Sequence, residues 1–231
     1  MQVIWLGHSS FRIEIADKVL LVDPWLDGNP SFPADRRGEA TAGATHILIS
    51  HGHGDHACNA LDIGRARGIP ILCIHELAEC WGEQDGVTTM GFGKGGTIDL
   101  DGVKVTMVNA SHSSSHDLDG GRPVYAGSEA GFMIAGEGHT IYFSGDTDIM
   151  ADMDWMGDLH KPDVGILCAG GHYTMDMARA AYAAKRYFNF ATLIPCHYKT
   201  FPILAQDADE LVAALPDVDV LTPEVMDVIT I

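Results

Sequence analysis

Short apolar runs broken by glycine, proline and aspartate dominate this chain, and longer helical patterns separate several of them. The runs at 3–6, 10–15, 19–22, 46–49, 71–73, 103–108, 131–135, 140–143, 164–167, 191–195 and 218–221 read as strands. Helical patterns cover 59–67, 75–81, 175–188 and 205–215; Asp207 near the start of the last and Pro216 beyond its end are boundary signals. Strands outnumber helices and come partly in hairpins, so a simple doubly wound sheet does not fit. The pattern predicts an α/β architecture in which two mixed sheets are sandwiched between helices.

Two strand pairs echo one another. The run from Val19 to Asp23 and the run from Thr140 to Asp146 both end in aspartate. Each is followed, some tens of residues later, by an apolar strand running toward histidine, at His51 and at His172. The echo predicts two similar halves whose strand ends converge on one cleft. Two long loops, 24–43 and 111–124, are rich in Gly, Pro, Ser and Asp, and loops of that length in a compact domain are usually functional.

A chain of 231 residues suits one domain spanning 1–231 with a sizeable core. No apolar stretch approaches a membrane-spanning length, and the N-terminus reads as a first strand without a basic leader, so the expected location is the cytoplasm. The formal charge of −18 argues against nucleic acid as the main partner, since binding it requires neutralising phosphates. The expected partner is a small molecule, with no membrane involved; a homo-oligomer stays open. The five cysteines (Cys58, Cys73, Cys80, Cys168 and Cys196) are odd in number and form no C-x-x-C pair, which argues against a disulfide framework or a structural zinc ribbon. Cys58 and Cys196 lie within two residues of candidate ligands, but the favoured reading of both is a small buried hydrophobe rather than a metal contact.

The densest chemistry lies in His51-Gly52-His53-Gly54-Asp55-His56, directly after the apolar run ending at Ile49. Imidazole nitrogen and carboxylate oxygen suit zinc and its first-row neighbours. His51 and His53, two residues apart in an extended segment, point the same way and can grip one ion. Asp55 and His56 follow where the chain turns, with Gly52 and Gly54 expected to supply backbone freedom, and face a second ion. One loop cannot fill two coordination spheres. Three further strand ends offer donors: His112 after 103–108, Asp146 after 140–143 and His197 after 191–195.

In order and spacing, Asp23, the H-x-H-x-D-H loop, His112, Gly145-Asp146 and His197 resemble the metallo-β-lactamase superfamily, over nearly the whole chain. The resemblance implies a four-layer αββα sandwich of two mixed β-sheets flanked by helices. It also implies two divalent metal ions, one held by His51, His53 and His112, the other by Asp55, His56 and His197, with Asp146 bridging. Asp23 would orient a ligand, as the other ring N–H of a ligating imidazole requires a partner. The implied chemistry is hydrolysis by a metal-bound hydroxide, with Asp55 as proton shuttle. Oxygen-reducing di-iron members usually carry glutamate where this chain has His53, which favours hydrolysis over redox chemistry. Zinc is the default metal, with manganese or iron compatible with an N/O site.

The segments at Gly7-His8-Ser9-Ser10, His112-Ser113-Ser114-Ser115, Gly171-His172-Tyr173 and His197-Tyr198-Lys199 resemble small stand-alone metal-dependent hydrolases related to the ascorbate-6-phosphate lactonases. Lys199, where glycine is common, and Ala57-Cys58-Asn59 depart from that pattern and bear on substrate preference. His172 reads as a catalytic or substrate-contacting residue at the cleft's rim. His8, Ser113, Tyr198 and Lys199 read as substrate-binding, with Lys199 or Arg122 as receivers of an anionic group. The glycine-rich stretch from Gly91 to Gly96 reads as a turn, lacking the ending of a phosphate loop. The leading function is a hydrolase of a small ester, lactone or phosphodiester. An RNA-processing nuclease and a non-catalytic metal-loaded sensor or binding protein are the alternatives.

Overall fold

A computed structural model describes residues 1–82, 86–118 and 122–231, with the side chains of 117 and 118 left undescribed. Its first sheet is built from β1 (Gln2–Trp5), β2 (Phe11–Ile15), β3 (Lys18–Val22), β4 (His46–Leu48), β5 (Ile71–Ile74), β6 (Thr89–Phe92) and β16 (Val228–Thr230), in the order β16-β1-β2-β3-β4-β5-β6. Its second contains β7 (Thr97–Asp99), β8 (Lys104–Asn109), β11 (Ala130–Gly136), β12 (His139–Phe143), β13 (Val164–Cys168), β14 (Thr192–Cys196) and β15 (Asp219–Val220), in the order β15-β14-β13-β12-β11-β8-β7. A separate two-stranded ribbon joins β9 (Ser115–Leu118) to β10 (Arg122–Tyr125).

The two sheets repeat one wiring plan. An antiparallel meander, β1-β2-β3 or β8-β11-β12, is extended by parallel strands, β4-β5-β6 or β13-β14-β15. β3 and β12 are therefore equivalent, as are β4 and β13, so the two strand pairs that echo one another in sequence hold matching places.

Local pattern explains the elements. In β2, Phe11, Ile13 and Ile15 are buried, while Arg12 and Glu14 point outward and pair at 2.8 Å. β13 is buried at every position, as a central parallel strand covered on both faces must be. Phe11 of β2 meets Phe143 of β12 edge to face at 6.1 Å, and Phe92 of β6 stacks on Phe132 of β11 at 6.3 Å. These contacts lock the inner faces of the sheets together.

Helices close both outer faces. α3 (Ala60–Arg67) packs on β4 and β5, and α4 (His75–Gly82) on β5 and β6. On the other side α6 (Met177–Tyr187) packs on β13 and carries α5 (Met153–His160) and α7 (Asp209–Ala214) beside it. Asp176 caps α6 by accepting the Arg179 N–H at 2.8 Å, and buried Ala180, Ala181, Ala183 and Ala184 let the helix lie close. The architecture is the four-layer αββα sandwich expected from the resemblance.

Four details differ from the sequence reading. The expected loop at 111–124 contains the β9–β10 ribbon, apart from 119–121, which lie outside the described residues. α5 and the strands β6, β7 and β16 join the expected elements. The helix expected at 205–215 is confined to Asp209–Ala214. Cys58, expected to be buried, is exposed, and all five thiols are free.

Candidate metal centre

β3 and β4 run parallel, and their ends bring Asp23 against the loop that follows Leu48. The Asp23 N–H donates to the Leu48 carbonyl at 2.9 Å, and its backbone then turns into the left-handed region, at φ 46°. Its Oδ1 accepts the Ser50 N–H at 2.7 Å, and its Oδ2 accepts the Ser50 hydroxyl at 2.5 Å. The same Oδ2 lies 2.8 Å from His56 Nδ1, while the Ser50 hydroxyl lies 2.9 Å from His51 Nδ1. One buried carboxylate therefore orients two imidazoles, one directly and one through a serine.

His51 and His53 lie on an extended stretch, with Nε2 of the first 2.9 Å from Nδ1 of the second. Asp55 and His56 follow on the single turn α2 (Gly54–Ala57), which swings them to the other side. The glycines here act differently from the sequence expectation. Neither Gly52 nor Gly54 adopts positive φ. A Cβ at Gly52 would sit 2.7 Å from the Ser115 carbonyl, so that glycine admits the ribbon backbone; one at Gly54 would meet open space.

The second sheet supplies three donors from three separate strand ends: His112 beyond β8, Asp146 beyond β12 and His197 beyond β14. His197 is placed by backbone strain, with φ at 58°, and by an N–H donated to the His8 carbonyl at 3.0 Å. Its carbonyl presses against Gly170, where any Cβ would lie 1.8 Å away. His8 has φ at 53°. Left-handed backbone at such non-glycine residues costs about 1–3 kcal/mol each and persists only where surrounding packing enforces it.

Asp146 stands at the meeting point. Its Oδ2 lies 3.1 Å from His197 Nε2, 3.3 Å from His56 Nε2, 3.6 Å from His112 Nε2 and 4.0 Å from His51 Nε2. The potential ligand atoms of His51, His53 and His112 form one compact group, and those of His8, Asp55, His56 and His197 another. Six of the seven residues expected as metal ligands thus fall into these two groups, which a third, Asp23 with His51 and His56, overlaps, and Asp146 lies within 4.0 Å of members of both.

The buried carboxylates and imidazoles here are strongly coupled. Burial would neutralise His56, but Asp146, Asp55 and Asp23 around it hold its pKa well above the ordinary histidine value. Burial likewise opposes the Asp146 carboxylate, yet His56 and His197 outweigh it and keep the group well below the usual range. His51 and His112 are pushed down, mainly by burial, toward the neutral form that ligates metal. Buried His56 Nε2 and Asp146 Oδ1 have no hydrogen-bond partner in the protein. Buried polar atoms are normally satisfied. Unpartnered donors within an all-N/O cluster fit divalent cations, for which zinc, manganese and iron all have suitable ligands here.

Above the cluster is a cleft of about 460 Å³, whose walls include His53, Asp55, His112, Asp146 and His197 together with Ser113. Of the other residues expected to touch substrate, His8 is fully buried beneath this floor. Its Nε2 lies 3.1 Å from Asp55 Oδ2 and its Nδ1 2.9 Å from the Thr200 hydroxyl, and burial lowers its pKa to about 4 against the pull of Asp55. His172 is exposed at φ 57° and packs edge-on against Tyr173; it is Tyr173 that lines the cleft. Tyr198 is buried and stacks on Trp5 at 5.4 Å. Lys199 turns toward Glu224, 3.5 Å away, and lines a different cavity of about 470 Å³ with Trp5 and Phe32. The structure therefore brings Ser113 to the cleft and leaves Tyr198 and Lys199 outside it. Arg122 is exposed on the ribbon. Cys196 is buried and Cys58 exposed; neither belongs to a ligand cluster found among the described residues.

The sequence reading gives no role to Trp25, Phe201 and Tyr173, which complete the cleft's walls, or to Ser50 and Thr200, which hold the inner histidines. A signal was present. Trp25 lies two residues after Asp23, and Phe201 four after His197, so each aromatic shares a strand-end turn with a site residue.

Comparisons with known proteins agree with this picture. The family model described as a beta-lactamase superfamily domain matches residues 18–198. A UPF0173 metal-dependent hydrolase of Paracoccus denitrificans is 65% identical over 226 residues, 98% of each chain. Another, from Dinoroseobacter shibae, is 63% identical over 229 residues, 99% of each chain. Among solved structures, a metallo hydrolase from the hyperthermophilic archaeon Ignicoccus hospitalis superposes with a TM-score of 0.86 at 30% identity, covering 99% of this chain and 97% of its own.

Proposed function

Because the chain belongs to the UPF0173 metal-dependent hydrolase family of the beta-lactamase superfamily, we propose that it works as a dinuclear hydrolase of a small ester, lactone or phosphodiester. The observation that carries this reading is the convergence of two donor clusters on the Asp146 carboxylate. His51, His53 and His112 would hold one divalent ion, and Asp55, His56 and His197 the other, with Asp146 between them. Zinc is the proposed metal. Bound ions at such a centre supply Lewis acidity and lower the pKa of water at neutral pH.

The protein's own groups have separable tasks. Asp23 and Ser50 fix the ring orientations of His56 and His51 through Nδ1, so the opposite nitrogens face the centre. Asp55 lies at the cleft wall, where its carboxylate would take a proton from the attacking water and pass it to the leaving oxygen. Its carboxylate form is favoured against burial by the neighbouring His56 and the His8 hydrogen bond. His8, anchored to Thr200, keeps Asp55 Oδ2 in place from below. A small cleft and the charge of −18 support a small-molecule substrate over RNA. No helix among the described residues is long and apolar enough to cross a membrane.

The test combines elemental analysis of freshly purified protein with a panel of lactones, carboxylic esters and phosphodiesters. Two bound ions per chain and turnover abolished by a chelator are expected, with recovery on adding zinc or manganese. Full turnover by Asp55→Ala would overturn the proton-transfer role given to that residue.

A further inference from the structure

We infer that the cleft takes a substrate whose non-reacting end is an uncharged, flat apolar group, such as an aryl ring, seated against Trp25 and Phe201. The inference rests on the hydrolase reading above and narrows its substrate class. The two rings lie 6.0 Å apart with a 31° tilt and border the cleft beside Asp55 and His197. They form a fixed wall because both pack on the buried ring of His8. Trp25 meets that ring edge to face at 5.2 Å and Phe201 at 5.8 Å. The Trp25 backbone is tied as well, its N–H donating to the Ser10 hydroxyl at 2.9 Å and its carbonyl accepting from Asn29 at 3.0 Å. Tyr173, 56% exposed, adds a third aromatic to the lining. A rigid aromatic surface binds a flat apolar group with little ordering cost.

Charge points the same way. Among the described residues, neither lysine nor arginine lines this cleft. Lys199 faces Glu224 in the other cavity, and Arg179 is held by both oxygens of Asp148 at 2.9 Å. An anionic group away from the reacting bond would lose water and meet no lysine or arginine to pair with. A phosphorylated or distally carboxylated substrate is therefore disfavoured, although the reacting bond itself still meets the metal centre.

The test separates the non-reacting end from the chemistry with three ketones that cannot be hydrolysed: benzylacetone, levulinate and methyl propyl ketone. Their affinities are measured by NMR titration on protein whose metal content has been determined. Benzylacetone is expected to bind about tenfold or more tightly than either of the others, the scale on which apolar pockets discriminate. Trp25→Ala and, independently, Phe201→Ala should remove most of that advantage without changing metal content or the affinity for methyl propyl ketone; Trp25→Phe should retain it. Levulinate binding as well as benzylacetone, no detectable binding of benzylacetone, or loss of affinity for every ketone alike would overturn the inference. The matching methyl esters test the parent reading separately. Preferential benzylacetone binding without hydrolysis of any ester, lactone or phosphodiester would leave the aryl site standing and remove the hydrolase. Hydrolysis of the esters with no preference for the phenyl-bearing one would do the reverse.

Discussion

The two halves of the molecule share a wiring plan but furnish the metal centre in different ways. After β4 the first half delivers His51, His53, Asp55 and His56 from one loop, braced by the Asp23–Ser50 hydrogen bonds. The second half delivers His112, Asp146 and His197 singly, from the ends of β8, β12 and β14. The first set is positioned by side chains bonded to side chains. The second depends on where whole strands end and on close backbone contact, as at Gly170 and His197. A local cluster can be built by one loop, whereas dispersed donors need the register of an entire sheet.

The residue joining the halves should matter most. Asp146→Ala removes the oxygen that lies within reach of His197, His56 and His112, and activity is expected to fall to background with loss of bound metal, measured by elemental analysis. Removing the ions by chelation should also lower stability. Metal at a hundredfold excess over its dissociation constant contributes about 2.7 kcal/mol, readable as a shift in the unfolding midpoint.

Breaking one half alone is the next largest effect. Gly170→Ala forces the His197 carbonyl to move, at about 1–3 kcal/mol of overpacking. Metal at the Asp55–His56–His197 cluster should be lost while His51, His53 and His112 still bind one ion, a change in stoichiometry that metal analysis resolves. Gly54→Ala in the opposite loop, where a Cβ meets open space, should leave stoichiometry unchanged. If both substitutions behave alike, the contrast between the halves is wrong.

A smaller effect tests the bracing of the first half. Asp23→Asn keeps the shape but removes the negative charge beside His56. Metal affinity should drop about 10–100-fold, by competition with a chromogenic chelator. The smallest effect is expected at Tyr198. Its hydroxyl is buried without a hydrogen-bond partner, so Tyr198→Phe should unfold at the same or a slightly higher temperature and keep its turnover rate. Impaired turnover there would return Tyr198 to the substrate-binding role its sequence position first implied.

Legibility differed between the same two halves. The first loop was readable because its donors are contiguous and follow an apolar strand. His112, Asp146 and His197 are single donors past separate strand ends, and only the order of the motifs and a family resemblance assign each to an ion. Strands β6 and β7 escaped notice because they are short and half exposed, with little apolar burial to mark them. α5 was hidden by its outer face. Trp155 and Leu159 are exposed there while Met153 and Met156 are buried, so the helix shows no clean polar side. Tyr198 and Lys199 adjoin a ligand in sequence but follow a left-handed residue, and the chain carries them away from the cleft.

The donor types and the i, i+2 pairing of His51 with His53 follow from the order of residues, because both depend on chemistry and local backbone geometry alone. Which nitrogens meet at Asp146, which aromatics wall the cleft and which cations stay outside it depend on two sheets packing face to face. Those contacts join residues far apart in the chain, such as His8 with Thr200. Only the register and burial of the assembled sandwich set such distances.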